Sequence, residues 1–232
     1  MKKIIIDQEI FNQFPSFKRG VIIVNNINNF AENAEIDRLL KNAISTATLN
    51  NNLDTDLLKG WDDVHRQFGS NPNKFPPSIK SLIKRIQKGG ELPFINSTVA
   101  LFNYISIKYL LPCGGDDVEM IKGNLMLGFS SGDENFVSLG SKVQEHPDNG
   151  EVIYFDDQTL NVMCRRWNWR NSDFTKITEY SKRLVINIDG VAGASKPLIE
   201  EASDELAILL KTYCDARVAT GFLDLNHREL EF

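Results

Sequence analysis

An α+β fold follows from three features of the sequence. The first half carries segments with helical spacing. The second half is a run of short segments rich in Val, Ile, Phe and Leu, divided by turn signals, and a helical segment closes the chain. Taken in order, Met1-Lys2-Lys3-Ile4-Ile5-Ile6 starts like a secretory leader, but Asp7 and Glu9 cut the apolar run too early for one. Pro15 and Lys18-Arg19 suggest a loop before Gly20-Val21-Ile22-Ile23-Val24, a β-branched run expected of a buried strand within Phe17 to Val24. The polar stretch Asn25 to Asn29 follows as solvated punctuation. Glu32 to Thr46 then has Ile36, Leu39, Leu40 and Ala43 on one helical face.

Asn50-Asn51-Asn52 is expected as a loop and Leu53 to Phe68 as a helix stopped by Gly69. After an irregular connection through Pro72, Pro76 and Pro77, the spacing of Ile79, Leu82, Ile83 and Ile86 predicts a further helix. Ser78 is its expected N-cap and Gly89-Gly90 its stop. Ser97 to Leu110 is apolar and helix-like, and Pro112 to Asp117 is expected as a loop. Segments 124–129, 135–139, 151–155, 160–164 and 183–188 are expected as antiparallel strands, with turn signals such as Pro147-Asp148-Asn149-Gly150 between them. Glu200 to Tyr213 returns to helical spacing. With no repeat and no clear linker, residues 1–232 are expected to form a single domain, with 1–70 as an extension that caps it.

The chain has 232 residues, 42% hydrophobic and 25% charged, which is enough to bury a core and excludes wholesale disorder. No stretch of about 18 apolar residues occurs, so no membrane partner is expected. Cys113, Cys164 and Cys214 have no paired spacing and there are three histidines, so neither a metal centre nor a disulfide framework is expected. The cysteine usage suits a cytoplasmic protein. A net charge of −5 argues against a uniformly basic nucleic-acid binder, and DNA is not an expected partner.

Standard phosphate-loop, nucleophile-elbow and zinc-protease motifs are absent. Gly89-Gly90 and Gly114-Gly115 are expected as turns. Chemistry concentrates in Cys164-Arg165-Arg166-Trp167-Asn168-Trp169-Arg170-Asn171, which holds two of the three tryptophans. Guanidinium groups fork onto phosphates or carboxylates and stack on indoles, so the cluster suits a pocket for an anionic or nucleotide-bearing ligand. A brace for a loop, with charges shared with Asp156, Asp157 or Glu179, is the other reading. Lys80, Lys84 and Lys88 form a stripe that is either a solvated face or a phosphate contact. Among the acids, Asp116 and Glu119 are expected on the solvated surface.

Asn103-Tyr104-Ile105-Ser106, Leu111-Pro112 to Gly123, Gly150 to Asp156 and Arg165-Arg166-Trp167-Asn168-Trp169-Arg170 resemble the free-standing B3/B4 domain proteins. These are similar to the B3/B4 editing module of the bacterial phenylalanyl-tRNA synthetase β-subunit, over roughly residues 70–200. The resemblance implies antiparallel, sandwich-like sheets flanked by helices. It also implies binding of the aminoacylated 3′ end of a tRNA, hydrolysis of a mischarged ester in trans, and no cofactor. Carried across residue by residue, it aligns editing-site residues with Asn103 and Asp117; these two, with Asn168 as a further residue suited to place water or the carbonyl, are the expected catalytic residues. Glu134, Glu151, Arg165, Arg166, Trp167, Trp169, Arg170 and Asn187 are the expected substrate-binding residues, with Arg165 or Arg170 on the terminal phosphate and Trp169 stacking a base. The family's pocket histidine falls on Gly114, its small floor residues on Trp167 and Asn171, and its hydroxyl-reading glutamate on Asn187. A bulky floor and a neutral reader imply a substrate other than tyrosine, either something smaller or something other than an amino acid ester. Capture of RNA, a nucleotide or an amino acid without turnover is the alternative.

Overall fold

A computed structural model describes residues 2–49 and 55–232. In chain order the elements are β1 (Lys3–Ile6), α1 (Gln8–Gln13), β2 (Lys18–Asn25), α2 (Ala34–Leu49), α3 (Asp56–Gln67), α4 (Ser78–Gln87), α5 (Ser97–Tyr109) and β3 (Cys113–Asp117). Then come β4 (Leu125–Phe129), β5 (Phe136–Val137), β6 (Gln144–Glu145), β7 (Val152–Asp156), β8 (Val162–Arg165) and β9 (Arg170–Asn171). β10 (Arg183–Gly190), α6 (Lys196–Cys214), β11 (Arg217–Leu223) and β12 (Glu229–Glu231) complete the chain. The α+β class is as the sequence predicts.

Two sheets organise the molecule. One has six strands in the order β12-β1-β4-β7-β8-β9, the other four in the order β11-β2-β10-β3, and β5-β6 form a small ribbon. The apolar run of β2 is continuous because both of its faces are covered. Val21 enters a core shared with β1, β4, β7, α1 and α3. Its neighbours Ile22 and Val24 enter a second core, against α2, α5 and α6. In β10, Val185 faces the first core, while Leu184, Ile186 and Ile188 face the second. The helix predicted from the Ile79 spacing forms as α4 and buries Ile79, Ile83 and Ile86.

Several expectations need correction. Cys113 to Asp117 is not a loop but strand β3, paired antiparallel with β10 so that Gly114 lies opposite Asn187. A Cβ on Gly115 would approach the Val185 carbonyl oxygen to 2.7 Å, so glycine is required there for packing and not for a turn. Ser78 is the first helical residue, with Pro77 at the N-cap. Lys18 and Arg19 open β2 instead of preceding it. The first residues do not cap the fold: β1 lies between β12 and β4, and β2 between β11 and β10. The β1–β4 pair is parallel, so the sheets are not wholly antiparallel. Asn29 is a buried tie rather than punctuation, because its side chain accepts from Thr98 and donates to the Thr178 carbonyl. The Asn50–Asn52 loop and the first residues of the helix expected from Leu53 lie outside the described residues. Among the described residues no helix is long and apolar enough to cross a membrane.

Candidate functional site

The arginine–tryptophan string forms the hairpin between β8 and β9, in which Arg165 pairs with Arg170 and Cys164 with Asn171. Turning so tightly puts Arg166 and Trp167 in the left-handed region, at φ 47° and 66°. Each such non-glycine residue costs on the order of 1–3 kcal/mol. Packing offsets the strain. Phe14, Phe17 and Trp61 meet the Trp167 ring edge-on at 4.8–5.5 Å, and its backbone N–H donates to the Val152 carbonyl at 2.7 Å. The Arg166 N–H donates to Glu151 at 3.0 Å.

The guanidinium groups of this string differ in how far the protein itself engages them. Arg165 is buried and forks onto Glu151 at 2.9 and 2.7 Å, with Glu145 as a further acceptor. Arg166 pairs with Asp148 and stacks 3.9 Å above the Phe75 ring, which also meets Trp169 edge-on at 4.7 Å. Glu151 is therefore committed to both arginines. Glu134 accepts from Ser130, Ser131 and Gly132, which fixes a loop. None of Arg165, Arg166, Glu134 or Glu151 lines the cleft described next, because each is held by partners of its own. Arg170 is the exposed arginine of the string, against the Trp169 ring at 5.5 Å. On α4, Lys80 is engaged by Asp62, and Lys84 and Lys88 are exposed.

The cleft opens between the two sheets. Arg19 from β2, Gly114 and Asp116 from β3, Tyr154 from β7, and Asn187 and Asp189 from β10 line it. Trp167, Asn168 and Asn171 border it from the hairpin, and Ser78 from the start of α4. Its volume is about 80 Å³. Four of the positions picked out by resemblance (Gly114, Trp167, Asn171 and Asn187) thus lie together. Asn103 on α5 and Asp117 do not line the cleft, and the Asp117 side chain caps the backbone of Glu119.

Arg19 forks onto Asp189 at 2.7 and 2.8 Å, and Trp167 Nε1 donates to the same carboxylate at 3.2 Å. Two buried donors at the cleft, Arg19 Nη1 and Asn168 Nδ2, have no partner within the protein, while the Tyr154 and Asn187 side chains lie against one another. Unpartnered groups of this kind are uncommon in native interiors.

Asp116, expected on the surface, is buried here and accepts from Thr175 at 2.5 Å. Burial raises its carboxyl to about 7, against the opposing pull of the Thr175 hydroxyl and the Arg19 charge. Burial also lowers His65 to about 4, so it is neutral and its Nε2 lies 3.2 Å from Asn168 Oδ1, orienting that amide. Burial pushes the Cys113 and Cys164 thiols up, so neither is a thiolate nucleophile at neutral pH. Among the described residues no three His, Cys, Asp or Glu side chains are placed to hold a metal ion.

Sequence reasoning missed Arg19, His65, Asp116, Tyr154 and Asp189. Their signal is non-local, since strands far apart in sequence bring them together.

A mixed six-stranded sheet, an antiparallel four-stranded sheet packed against α2, α5 and α6, and a polar cleft between the sheets at a strained hairpin define the class of protein. The B3/4 domain family model matches residues 60–215, more than half of the chain, and the chain belongs to that family. Among solved structures it is similar to an N-terminal fragment of the phenylalanyl-tRNA synthetase β-subunit from Pyrococcus horikoshii. That match has 12% identity and a TM-score of 0.48, and covers 93% of this chain and 49% of the other. The chain thus spans about half the length of that structure. No curated protein matches.

Proposed function

We propose that the cleft receives the aminoacyl end of a charged tRNA and hydrolyses its ester in trans, acting in the cytoplasm on a substrate smaller than tyrosine. The observation that carries this reading is a carboxyl raised to about 7 facing a cleft bordered by unpartnered donors. An ester is already activated, so placing water and stabilising the oxyanion supply much of the catalysis. Asp116 takes the proton of the attacking water. The carbonyl oxygen gathers charge against Asn168 Nδ2 and Arg19 Nη1. The C–O bond to the terminal ribose then breaks, and the ribose oxygen leaves with the proton that Asp116 gives back. Exposed Arg170 and half-buried Trp169, next to the cleft residues Asn168 and Asn171, suit a phosphate and a base of the tRNA end, and Lys84 and Lys88 suit more distant phosphates. Size supports the substrate class. One water needs about 10–15 Å³ of such space, so the cleft takes a group of about six non-hydrogen atoms.

Capture of an aminoacyl group without turnover is the second reading. The Cys113 and Cys164 thiols and the neutral, amide-bound His65 favour it, because none of them is an activated nucleophile. A deacylation assay against a panel of correctly and wrongly charged tRNAs separates the two. Hydrolysis of one or two species, falling about 100-fold or more in Asp116→Asn with binding retained, establishes the enzyme. Binding without hydrolysis establishes capture, and no binding ends both readings.

A further inference from the structure

The two main sheets end on β12 and β9 in one case and on β11 and β3 in the other. An edge strand presents unpaired N–H and C=O groups to any second strand, and folded proteins ordinarily block it with charge, shortness or cover. β12 carries Glu229 and Glu231 among its three residues. β9 has two residues, and the Asn171 carbonyl accepts from the Leu139 N–H. β3 ends in Asp116 and Asp117, and the Asp117 N–H donates to the Thr175 carbonyl. β11 has no such protection. Val218 to Leu223 carry no charge and no proline, and they pair with β2 without a register shift. Among the described residues, nothing but β2 bonds the backbone of Val218 to Phe222. Ala219 and Thr220 at the middle of the strand are exposed on opposite faces, so the edge is open from both.

We propose that two copies of this chain join through β11, antiparallel about a two-fold axis near Thr220, so that the four-stranded sheet runs on from one protomer into its partner. This goes beyond the reading of the cleft and does not depend on it. The strand itself argues for a second copy as the occupant. What an antiparallel edge accepts is another extended, uncharged strand, and β11 is one, with small side chains where the two would meet. Charge argues for it too. α6 packs on β11 and β2, while α5 packs on β3 at the far end of the sheet, so one flank of α6 faces the β11 edge. Glu200, Asp204 and Lys211 fall within about 40° of one another on that flank, away from Glu201 and Glu205, which meet the α5 tyrosines. All three are exposed. Lys196 lies 4.6 Å over the Phe222 ring, so α6 runs antiparallel to β11, with its acidic turns toward the Phe222 end and Lys211 toward exposed Arg217. A two-fold axis sets the basic end of one protomer against the acidic end of its partner. β3, which walls the cleft, lies at the other end of the sheet, so both clefts stay open in the dimer.

Sedimentation velocity of the full chain tests this. A strand pair with one helix flank stands at the small end of specific interfaces, so monomer and dimer should exchange between about 1 and about 200 µM protein. Thr220→Lys sets like charges across the axis and should weaken the dimer about tenfold or more, with the melting temperature of the dilute protein unchanged. Thr220→Glu should do the same. The two variants mixed should form the dimer again, which a misfolded chain would not do. In the parent, amides of Val218 to Phe222 should exchange with deuterium several-fold more slowly at the higher concentration. A monomer across the whole range overturns the proposal. So does a dimer that both Thr220 variants leave intact, or one whose β11 amides gain no protection, because another surface then holds it.

Discussion

Asp116 carries the sharpest consequence for a single residue. Its folded value of about 7 stands above the ordinary 3.8, so the native state holds a proton that the unfolded chain releases. Between about pH 4 and pH 7 the folded protein therefore binds more protons, and stability falls as pH rises through that window. Asp116→Asn keeps an acceptor for Thr175 and removes the buried charge. It should be more stable than the parent by on the order of 4 kcal/mol above pH 7, with the gain vanishing below pH 4. Urea titrations at pH 4 and pH 8 check this, and an equal gain at both would contradict the burial of the charge. If Asp116 is the base, parent turnover rises with pH and levels off above about 7. Gly114 gives a second prediction. Its Cβ direction is open, so Gly114→Leu should fold with stability unchanged within about 1 kcal/mol and improve strand propensity, yet fill the cleft and abolish aminoacyl binding. Melting temperature and calorimetry together separate blockage from misfolding. Asp116 was not legible in the sequence as a cleft residue, and Gly114 was placed at a pocket only by resemblance. Gly114-Gly115-Asp116-Asp117 has the composition of a loop, and only its pairing with β10 makes it a cleft wall.

At the scale of the element, the hairpin between β8 and β9 was legible as a place, with a ligand pocket and a loop brace both open as its role. Three arginines and two tryptophans within six residues marked it. What the sequence could not show is which guanidinium groups the protein itself consumes, since Asp148 and Glu151 lie 14–18 residues earlier in the chain. Two substitutions separate the roles. Arg165→Ala leaves Glu151 buried with its forked partner gone, and should cost about 3–5 kcal/mol in a chemical denaturation curve. Arg170 is exposed, so Arg170→Ala should change stability by less than about 0.5 kcal/mol and weaken tRNA binding instead. If Arg165→Ala is as stable as the parent, the fork is not structural. If Arg170→Ala binds tRNA unchanged, the rim carries no phosphate contact. Elements with strong periodicity, such as α4, or with both faces apolar, such as β2, were legible because local pattern and tertiary burial agree there. β11 and β12 were not. Arg217-Val218-Ala219-Thr220-Gly221 has a mostly exposed or half-buried strand's weak pattern, and Gly221 is there because a Cβ would press on Leu230 at 2.4 Å.

At the scale of the whole molecule, the matched family segment and the folding unit need not coincide. Residues 60–215 exclude β1, α1, β2, β11 and β12. Without them the four-stranded sheet is reduced to β10 and β3, and the six-stranded sheet loses two strands. Ile4, Ile6, Ile10, Phe11, Phe14, Phe17, Val21, Ile22 and Val24 are all at most 3% exposed, and all nine leave with the N-terminal strands and helix. Each contributes about 1.5–3 kcal/mol on burial, so their sum exceeds the 5–15 kcal/mol by which a domain is ordinarily stable. The faces they cover would become exposed apolar sheet, and the cleft would lose Arg19. Trp167 would lose Phe14 and Phe17, two of the rings that hold its left-handed backbone in place. We therefore expect residues 60–215 alone to show no cooperative thermal transition and little near-ultraviolet dichroism, while residues 1–232 melt as one unit. A cooperative melt from the shorter chain would mean that the N-terminal strands are an addition to a self-sufficient core, and that the cleft is completed by a part the fold can do without.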